Sequence, residues 1–319
     1  MTVEDRRNED RLYDELRPGA FGVAYRMLGS VSEAEDVVQE GLLRLHRVLR
    51  GGERVESPRA YVTTVITRLC IDELRSARAR RESYVGEWLP EPLVAVGADT
   101  PAPDPAARAE TADSLSLAFL VLLESLSPEQ RAAFLLREVF DYPYADIADI
   151  IGKEEANARQ LVARARRHLR ERRPRYEASR RRRDELARGF LKAVEDGDLE
   201  ALEALLTDDV GLHGDGGGKA PALAHPVSGR ERVIKMLLHW AGVLTRIGGL
   251  SLRPTEVNGQ PGAIYYDPDG KLLGVLSFDF ADGRISAIQS IVNPDKLRHL
   301  GPVGDARAVL QHRDRPTDD

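Results

Sequence analysis

Apolar residues in the first two thirds of the chain recur at three- and four-residue spacing, the mark of amphipathic helices. Leu12, Leu16, Phe21, Ala24, Tyr25 and Leu28 outline the core face of a first helix. Val37, Val38, Leu42, Leu45 and Val48 outline a second, with Gly29 and Ser30 between them. Ser32 and Glu35 have the spacing of a capping box, so the second helix is expected to open there. Pro58 suits a helix first turn, and a long helix follows with Tyr61, Val62, Val65, Ile66, Leu69 and Leu74 inward. The stretch YVGEWLPEPLVAVGADTPAPDPAARAE has no usable periodicity and reads as a linker. From Asp141 to Arg173 the pattern gives two short helices joined at Gly152. The first is expected to bury Ile147, Ala148 and Ile151, the second Ala158, Leu161, Val162 and Ala165.

After a basic connector from Pro174 to Arg183 come two helices broken at Asp196 and Gly197, then a strand. A further helix follows from about Gly229 to Leu244, with Val233, Met236, Leu237 and Trp240 on one side. The runs LSLRPTEV, GAIYYD, LLGVLSFDF and RISAIQSIV are β-rich, and NGQPG, DPDG and ADG between them are turn signals for an antiparallel sheet. The expected fold class is multidomain, with all-α domains first and an α+β cone last.

The 319 residues leave room for several domains. The net charge of -6 hides two local basic patches, around Arg68 to Arg81 and Arg159 to Arg183, and such patches decide nucleic-acid contact. A single cysteine, Cys70, excludes an internal disulfide and a Cys-rich zinc site, and its apolar setting suggests a core position in a reducing compartment. The charged N-terminus and the absence of any apolar run of about 18 residues argue against a signal peptide or membrane span. The expectation is a cytoplasmic protein. No metal-ligand cluster stands out and no cofactor is implied.

The pair of helices around Gly152 has the form of a helix-turn-helix. Asn157, Arg159, Gln160, Arg164 and Arg167 lie off the apolar stripe of its second helix, where Arg and Gln suit paired hydrogen bonds to base edges in a major groove. Arg166, Arg167, Arg170, Arg172 and Arg173 suit phosphate neutralisation. The plain alternative is a surface helix with a solvated basic face. In the second helix of the chain, Glu33, Glu35 and Asp36 have a structural account as first-turn acids. That account fits Gln39 and Glu40 less well.

LRPGAFGVAYRMLGSVSEAEDVVQEGLLRLHRV, SPRAYVTTVITRLCIDELRSARARRE and the helix-turn-helix resemble, in order, regions two and four of an extracytoplasmic-function (ECF) sigma factor. The resemblance implies a region-2 helical bundle over residues 8–83, a linker over 84–111 and region 4 over 112–175. SEAEDVVQE is similar to the segment that grips the β′ clamp of RNA polymerase, which makes Asp36, Gln39 and Glu40 candidates for core binding; the β flap is the further contact implied. The long third helix resembles the reader of the melted minus-ten element, with Arg75, Arg78 and Arg80 as backbone contacts. Asn157, Arg159, Gln160, Arg164, Arg167 and Arg170 are then the contacts to the minus-thirty-five element of promoter DNA.

The last domain, over residues 184–300, resembles the SnoaL-like, nuclear-transport-factor-like fold, with a solvated tail expected over 301–319. WLPEP, DGGGK and NPDKL together look like the signature of the SigJ-like subgroup that carries this fused domain. Trp88 and Leu89 are costly to leave wet and two prolines stiffen the segment, so WLPEP should dock. Trp88, Leu89, Pro90, Asp215, Gly216, Gly217, Gly218, Lys219, Asn293, Pro294, Asp295 and Lys296 are therefore candidates for an interdomain regulatory contact. A cone of this kind encloses a pocket that His213, Asp215, His225, His239, Tyr265, Tyr266 and Asp267 are placed to line, and a small ligand is a possible partner. DGGGK lacks the spacing of a P-loop. No residue is assigned a catalytic role. The competing function is a DNA-binding regulator with a ligand-sensing or enzymatic domain, for which a clamp-gripping helix has no use.

Overall fold

The computed structural model describes residues 3–94, 114–170, 179–247 and 250–311. The chain divides into two compact units, Met1–Glu82 with Leu122–Arg173 and Ser83–Val121 with Pro174–Asp319. Among the described residues no helix is long and apolar enough to cross a membrane.

In the first unit α1 (Val3–Leu28), α2 (Val31–Arg50) and α3 (Pro58–Glu82) pack around Tyr25, Met27, Leu28, Leu45 and Ile66. Gly41 lets α2 and α3 cross closely, because a Cβ there would lie 2.9 Å from Ile66. Cys70 is fully buried in this core, and burial holds its thiol protonated. The cap of α2 is Ser30, whose hydroxyl accepts from the Glu33 amide at 3.2 Å, not Ser32 as expected. Gly29 turns the chain at φ 68°, so the first free helical amides fall two residues earlier, and Ser30 with Glu33 has the same three-residue spacing.

The division between the units falls within α4 (Leu117–Leu123); α5 (Pro128–Glu138), α6 (Tyr144–Ile151) and α7 (Glu155–Arg170) complete the first unit. Ser127 and Gln130 form a reciprocal capping box on α5, and Gly152 ends α6 in the left-handed region at φ 66°. Ile147 and Ala148 are buried as expected, but the third buried residue is Ile150 and Ile151 is only half-buried. α6 is covered on more than one side, by α3 as well as by α5 and α7, so its buried face is wider than a single stripe.

Arginines join the two helical groups of this unit. Arg131 of α5 is buried and donates to the Met27 carbonyl in the last turn of α1 at 2.6 Å and to Glu124 at 2.8 Å. Arg68 of α3 donates to the Asp149 and Ile150 carbonyls in the last turn of α6, both at 2.9 Å. Each guanidinium thus satisfies carbonyls that the helix itself leaves unpaired, at the negative end of its dipole. Arg26 lies 5.5 Å from the Phe140 ring centroid, and Tyr142 donates to Thr63 at 3.1 Å. Burial lowers the Arg131 pKa to about 9 and that of Arg26 to about 10, so both stay charged at neutral pH.

In the second unit α8 (Arg180–Asp196) and α9 (Leu199–Leu205) lead into β1 (Leu206–Asp215). β2 (Val227–Ser228) and α10 (Arg230–Ile247) precede β3 (Ser251–Val257), β4 (Gln260–Tyr266), β5 (Leu272–Ala281) and β6 (Arg284–Ile291). The sheet order is β2-β1-β6-β5-β4-β3. The meander from β3 to β6 is antiparallel as expected, with Asn258–Gly259 and Asp282–Gly283 all at positive φ in its two-residue turns. β1 instead pairs parallel with β6, so the sheet is mixed. The helices and the curved sheet make the α+β cone.

The expected connector ending at Arg183 is shorter: α8 is capped by Ser179, and the buried Arg183 donates to Gln260. Residues Ala306–Gln311 form α11 where a solvated tail was expected, with Arg307 donating to the Gly218 carbonyl at 2.5 Å. The inner core includes Phe190, Leu206, Val233, Phe278 and Ile288, with Phe190 and Phe278 edge to face at 5.2 Å. On the other sheet face Val257, Leu272, Val275, Ile291 and Leu297 pack with Leu89 and Leu117.

Arg131→Ala is expected to destabilise the first unit by about 2 kcal/mol, the cost of hydrogen bonds from a buried charged donor. Urea unfolding followed by circular dichroism checks this, and Arg131→Lys should recover part of the loss.

Candidate functional site

The three short motifs meet in the second unit. β1 ends at Asp215, whose side chain is fully buried. One carboxylate oxygen accepts from the Tyr84 hydroxyl at 2.5 Å, and the other from the Leu89 amide at 2.8 Å and the Lys296 ammonium at 2.6 Å. Lys296, itself buried, also donates to the Leu89 carbonyl, and its ammonium lies 4.2 Å from the Trp88 ring centroid and 5.0 Å from that of Tyr84. The charge pair is thus bounded by aromatic faces that suit a cation. Asn293 donates to the Tyr84 hydroxyl at 2.8 Å, and burial together with the Asp215 carboxylate raises that phenol's pKa well above the ordinary value. Tyr84 therefore remains a donor.

The glycines of DGGGK make this approach possible. A Cβ on Gly216 would lie 2.3 Å from the Ala220 carbonyl oxygen, and one on Gly217 would lie 2.3 Å from the Asn293 amide nitrogen. Gly217 and Gly218 have φ of 56° and 68°, which disfavours any side chain there. Lys219, at the end of the motif, is more exposed and pairs with Asp295, which also receives Arg298 at 3.0 Å. Pro294 opens the short helical turn that places Lys296.

The rest of the linker is fastened along the same sheet face. Leu89, Pro90, Glu91 and Pro92 are buried. His299 lies 2.8 Å from the Pro92 carbonyl oxygen. The Leu93 amide donates to the Asn258 side chain at 2.8 Å, the Asn258 amide to the Leu93 carbonyl at 2.7 Å, and Val94 bridges Val257. His213 on β1 faces Glu87 at 2.8 Å, and that hydrogen bond raises the imidazole pKa despite burial. Glu87, His299 and Asn258 had no sequence signal beyond their nearness to a motif or turn.

Of the residues expected to line a pocket, Tyr265 and His213 border a cavity inside the cone. Asp215 is taken by the linker, His225 and His239 are exposed, Tyr266 packs on the outer face under Arg253, and Asp267 accepts from the Lys271 amide in a turn. Among the described residues no group of His, Cys, Asp and Glu suits a metal ion.

In the first unit Asp36 and Gln39 are exposed on α2 and border a shallow concavity with Leu43, while Glu40 pairs with Arg44 at 2.7 Å. Asn157, Arg159, Gln160, Arg164, Arg167 and Arg170 are all exposed on α7, opposite Ala158, Val162, Ala165 and Leu169. Arg159 pairs with Glu155 and lies 4.4 Å from the Tyr144 ring centroid, and Arg166 pairs with Glu138 at 2.6 Å. Arg75 is engaged by Asp72 at 3.1 Å and Glu129 at 2.5 Å. The side chains of Arg78 and Arg80 lie outside the described residues, as do Arg172 and Arg173.

Residues 12–80 match the family model for Sigma-70 region 2, and residues 116–169 that for Sigma-70, region 4. The chain is 37% identical over 313 residues to the ECF RNA polymerase sigma factor SigJ of Mycobacterium tuberculosis, a match spanning 95% of this chain and 97% of that protein. It is 34% identical over 282 residues to the probable ECF RNA polymerase sigma factor SigI of Mycobacterium tuberculosis, covering 87% and 91%. The crystal structure of SigJ from Mycobacterium tuberculosis matches at a TM-score of 0.71 with 34% identity, over 90% of this chain and 98% of that one.

Lys296→Met removes the counter-charge of a buried carboxylate, so the linker should detach from the cone at a cost of about 3 kcal/mol. Faster chymotryptic cleavage at Tyr84 and Trp88 would show it; an unchanged cleavage rate would contradict it. The Glu87–His213 contact has a defined pH dependence. Because the folded-state His213 pKa is raised above its ordinary value near 6.5, this stabilisation is complete below that value and lost as pH rises through the folded pKa. Glu87→Gln should therefore lower the melting temperature more at acidic than at alkaline pH.

Proposed function

Because the chain belongs to the ECF sigma factors, which bind RNA polymerase core and direct it to promoters, we propose that its fused cone regulates initiation by holding the linker between regions 2 and 4. The observation that carries this reading is the buried clasp of Asp215, Lys296, Tyr84 and Leu89. Residues 84–94 lie in sequence between the two DNA-reading regions, so fastening them shortens the free tether and restricts the separations the two regions reach. A contact within one chain is favoured by its high effective concentration, so its release is a matter of shifting a balance between a restrained and an open state. The glycine turn and the Lys219–Asp295 pair belong to the same clasp.

Polymerase engages the α2 face of Asp36, Gln39 and Glu40 at the β′ clamp, and region 4 meets the β flap. Asp36 and Gln39 are exposed beside Leu43, a polar and apolar surface suited to a basic partner helix. The exposed face of α7 reads the minus-thirty-five element, with Asn157, Arg159, Gln160 and Arg164 near base edges and Arg167 and Arg170 toward phosphates. Arg75, with Arg78 and Arg80, meets the melted strand once its bonds to Asp72 and Glu129 are exchanged for phosphate. The cone acts as a regulatory module rather than a catalyst. Its cavity brings together no acid and base pair among the described residues. A protein of this function works in the cytoplasm.

Run-off transcription with core polymerase tests the whole reading. Asp36→Ala with Gln39→Ala should abolish output and core binding without loss of helicity. Lys296→Met should change output at unchanged core affinity, and equal output from both forms would remove the regulatory role. On the DNA side, Gln160→Ala should cost about 1–3 kcal/mol on the cognate element alone, whereas Arg170→Ala should weaken all sequences alike. Equal losses on specific and random DNA for both would reduce α7 to an electrostatic anchor.

A further inference from the structure

The cone encloses a cavity of about 210 Å³ on the face of the sheet opposite the linker. Phe190, Leu212, Trp240, Leu276 and Ile288 supply apolar walls, and Ala306 and Val309 of α11 border its mouth. Hydroxyls enter it from Tyr265 and Ser290, which lie 3.2 Å apart. The sheet is built to place that pair. Tyr265 on β4 stands opposite Gly274 on β5, where a Cβ would come 2.2 Å from the phenol oxygen, so the glycine opens the path across β5 to Ser290 on β6. Burial raises the Tyr265 pKa to about 12, which keeps the phenol a neutral donor.

Among the described liners His213 is the one that carries a positive charge on protonation, and its imidazole is committed to Glu87. No carboxylate, lysine or arginine lines the cavity among the described residues. A charged ligand would lose its hydration without a counter-charge, whereas an apolar one with a single polar group would meet both kinds of wall. In size the cavity exceeds the roughly 150 Å³ site that accepts benzene, so a substituted single ring fits.

We propose that this cavity binds a compact, neutral, mainly apolar molecule with one hydroxyl or carbonyl group, anchored at the Tyr265–Ser290 pair. The site goes beyond the transcription reading and does not depend on it. Its strands are nevertheless shared with the clasp: Leu212, His213 and Gly214 of β1 border the cavity, while the His213 imidazole bonds Glu87 and the Asp215 carboxylate accepts from the Leu89 amide of the linker.

Ligand-observed NMR on the full chain tests the site with three probes: 4-ethylphenol, ethylbenzene and 4-ethylbenzoate. Saturable binding of 4-ethylphenol is expected, with ethylbenzene competing about five- to tenfold more weakly for want of the hydroxyl. The benzoate should not compete. Tyr265→Phe, which preserves packing, should bring 4-ethylphenol down to the level of ethylbenzene. Ala241→Trp, on the α10 wall, should block both, with circular dichroism confirming the fold. The proposal is overturned if the intact chain shows no saturable binding of 4-ethylphenol, if the benzoate competes best, or if Tyr265→Phe leaves the preference for 4-ethylphenol intact. Run-off output is unaffected by any of these results, so failure here is separable from failure of the transcription reading.

Discussion

A carboxylate removed from water must be matched by charge and by hydrogen bonds, and Asp215 has no surface left for water to reach. Its partners come from two separated parts of the chain: Tyr84 and Leu89 from the linker, and Lys296 from the turn after β6. Undocking the linker would expose the pair to water on one side and strip two of its donors. The second unit is therefore complete only with residues 84–94 in place, and those residues belong by sequence to the stretch between the two sigma regions. One buried ion pair couples the fold of the cone to the freedom of that stretch.

The geometry around the pair is set by backbone rather than by side-chain choice. Positive φ at Gly217 and Gly218, and the space that Gly216 and Gly217 leave for Ala220 and Asn293, let the turn after β1 lie against the linker. Parallel pairing of β1 with β6 then brings the end of β1 beside Asn293 and Lys296. Because successive residues of a strand point to opposite faces, β1 serves the clasp with one set of side chains and the cone's interior with the other. In the first unit the same economy appears as arginines from each helical group closing the carbonyl ends of the other, Arg131 on α1 and Arg68 on α6.

Much of this was legible in the sequence. Helical periodicity gave α1, α2, α3 and α7, and the Asn-Gly and Asp-Gly turns gave the meander. WLPEP, DGGGK and NPDKL were each too costly or too specific to be plain connectors, and the structure brings all three together. What the sequence did not carry was long-range pairing. The parallel register of β1 with β6 depends on how the chain returns after α10, and no local pattern encodes that. The cap at Ser30 was masked by a second serine with the same spacing to an acid. Ile150 was missed because a helix packed by three neighbours buries more than one stripe. The helix at Ala306–Gln311 lies among charged residues that suggest a solvated tail, while Ala306 and Val309 border the cavity and Arg307 bonds the Gly218 carbonyl. Glu87, His299 and Asn258 are ordinary polar residues whose roles exist only once the linker lies on the sheet.

The linker is part of the folded cone, and the Leu89 amide reports on it directly because its acceptor is the Asp215 carboxylate. Native-state hydrogen exchange on the full chain would place that amide against those of β5 and β6. The account predicts protection of Leu89 within the range of those central strands and its collapse in Asp215→Ala. Exchange of Leu89 at the rate of an unstructured peptide in the intact protein would contradict it.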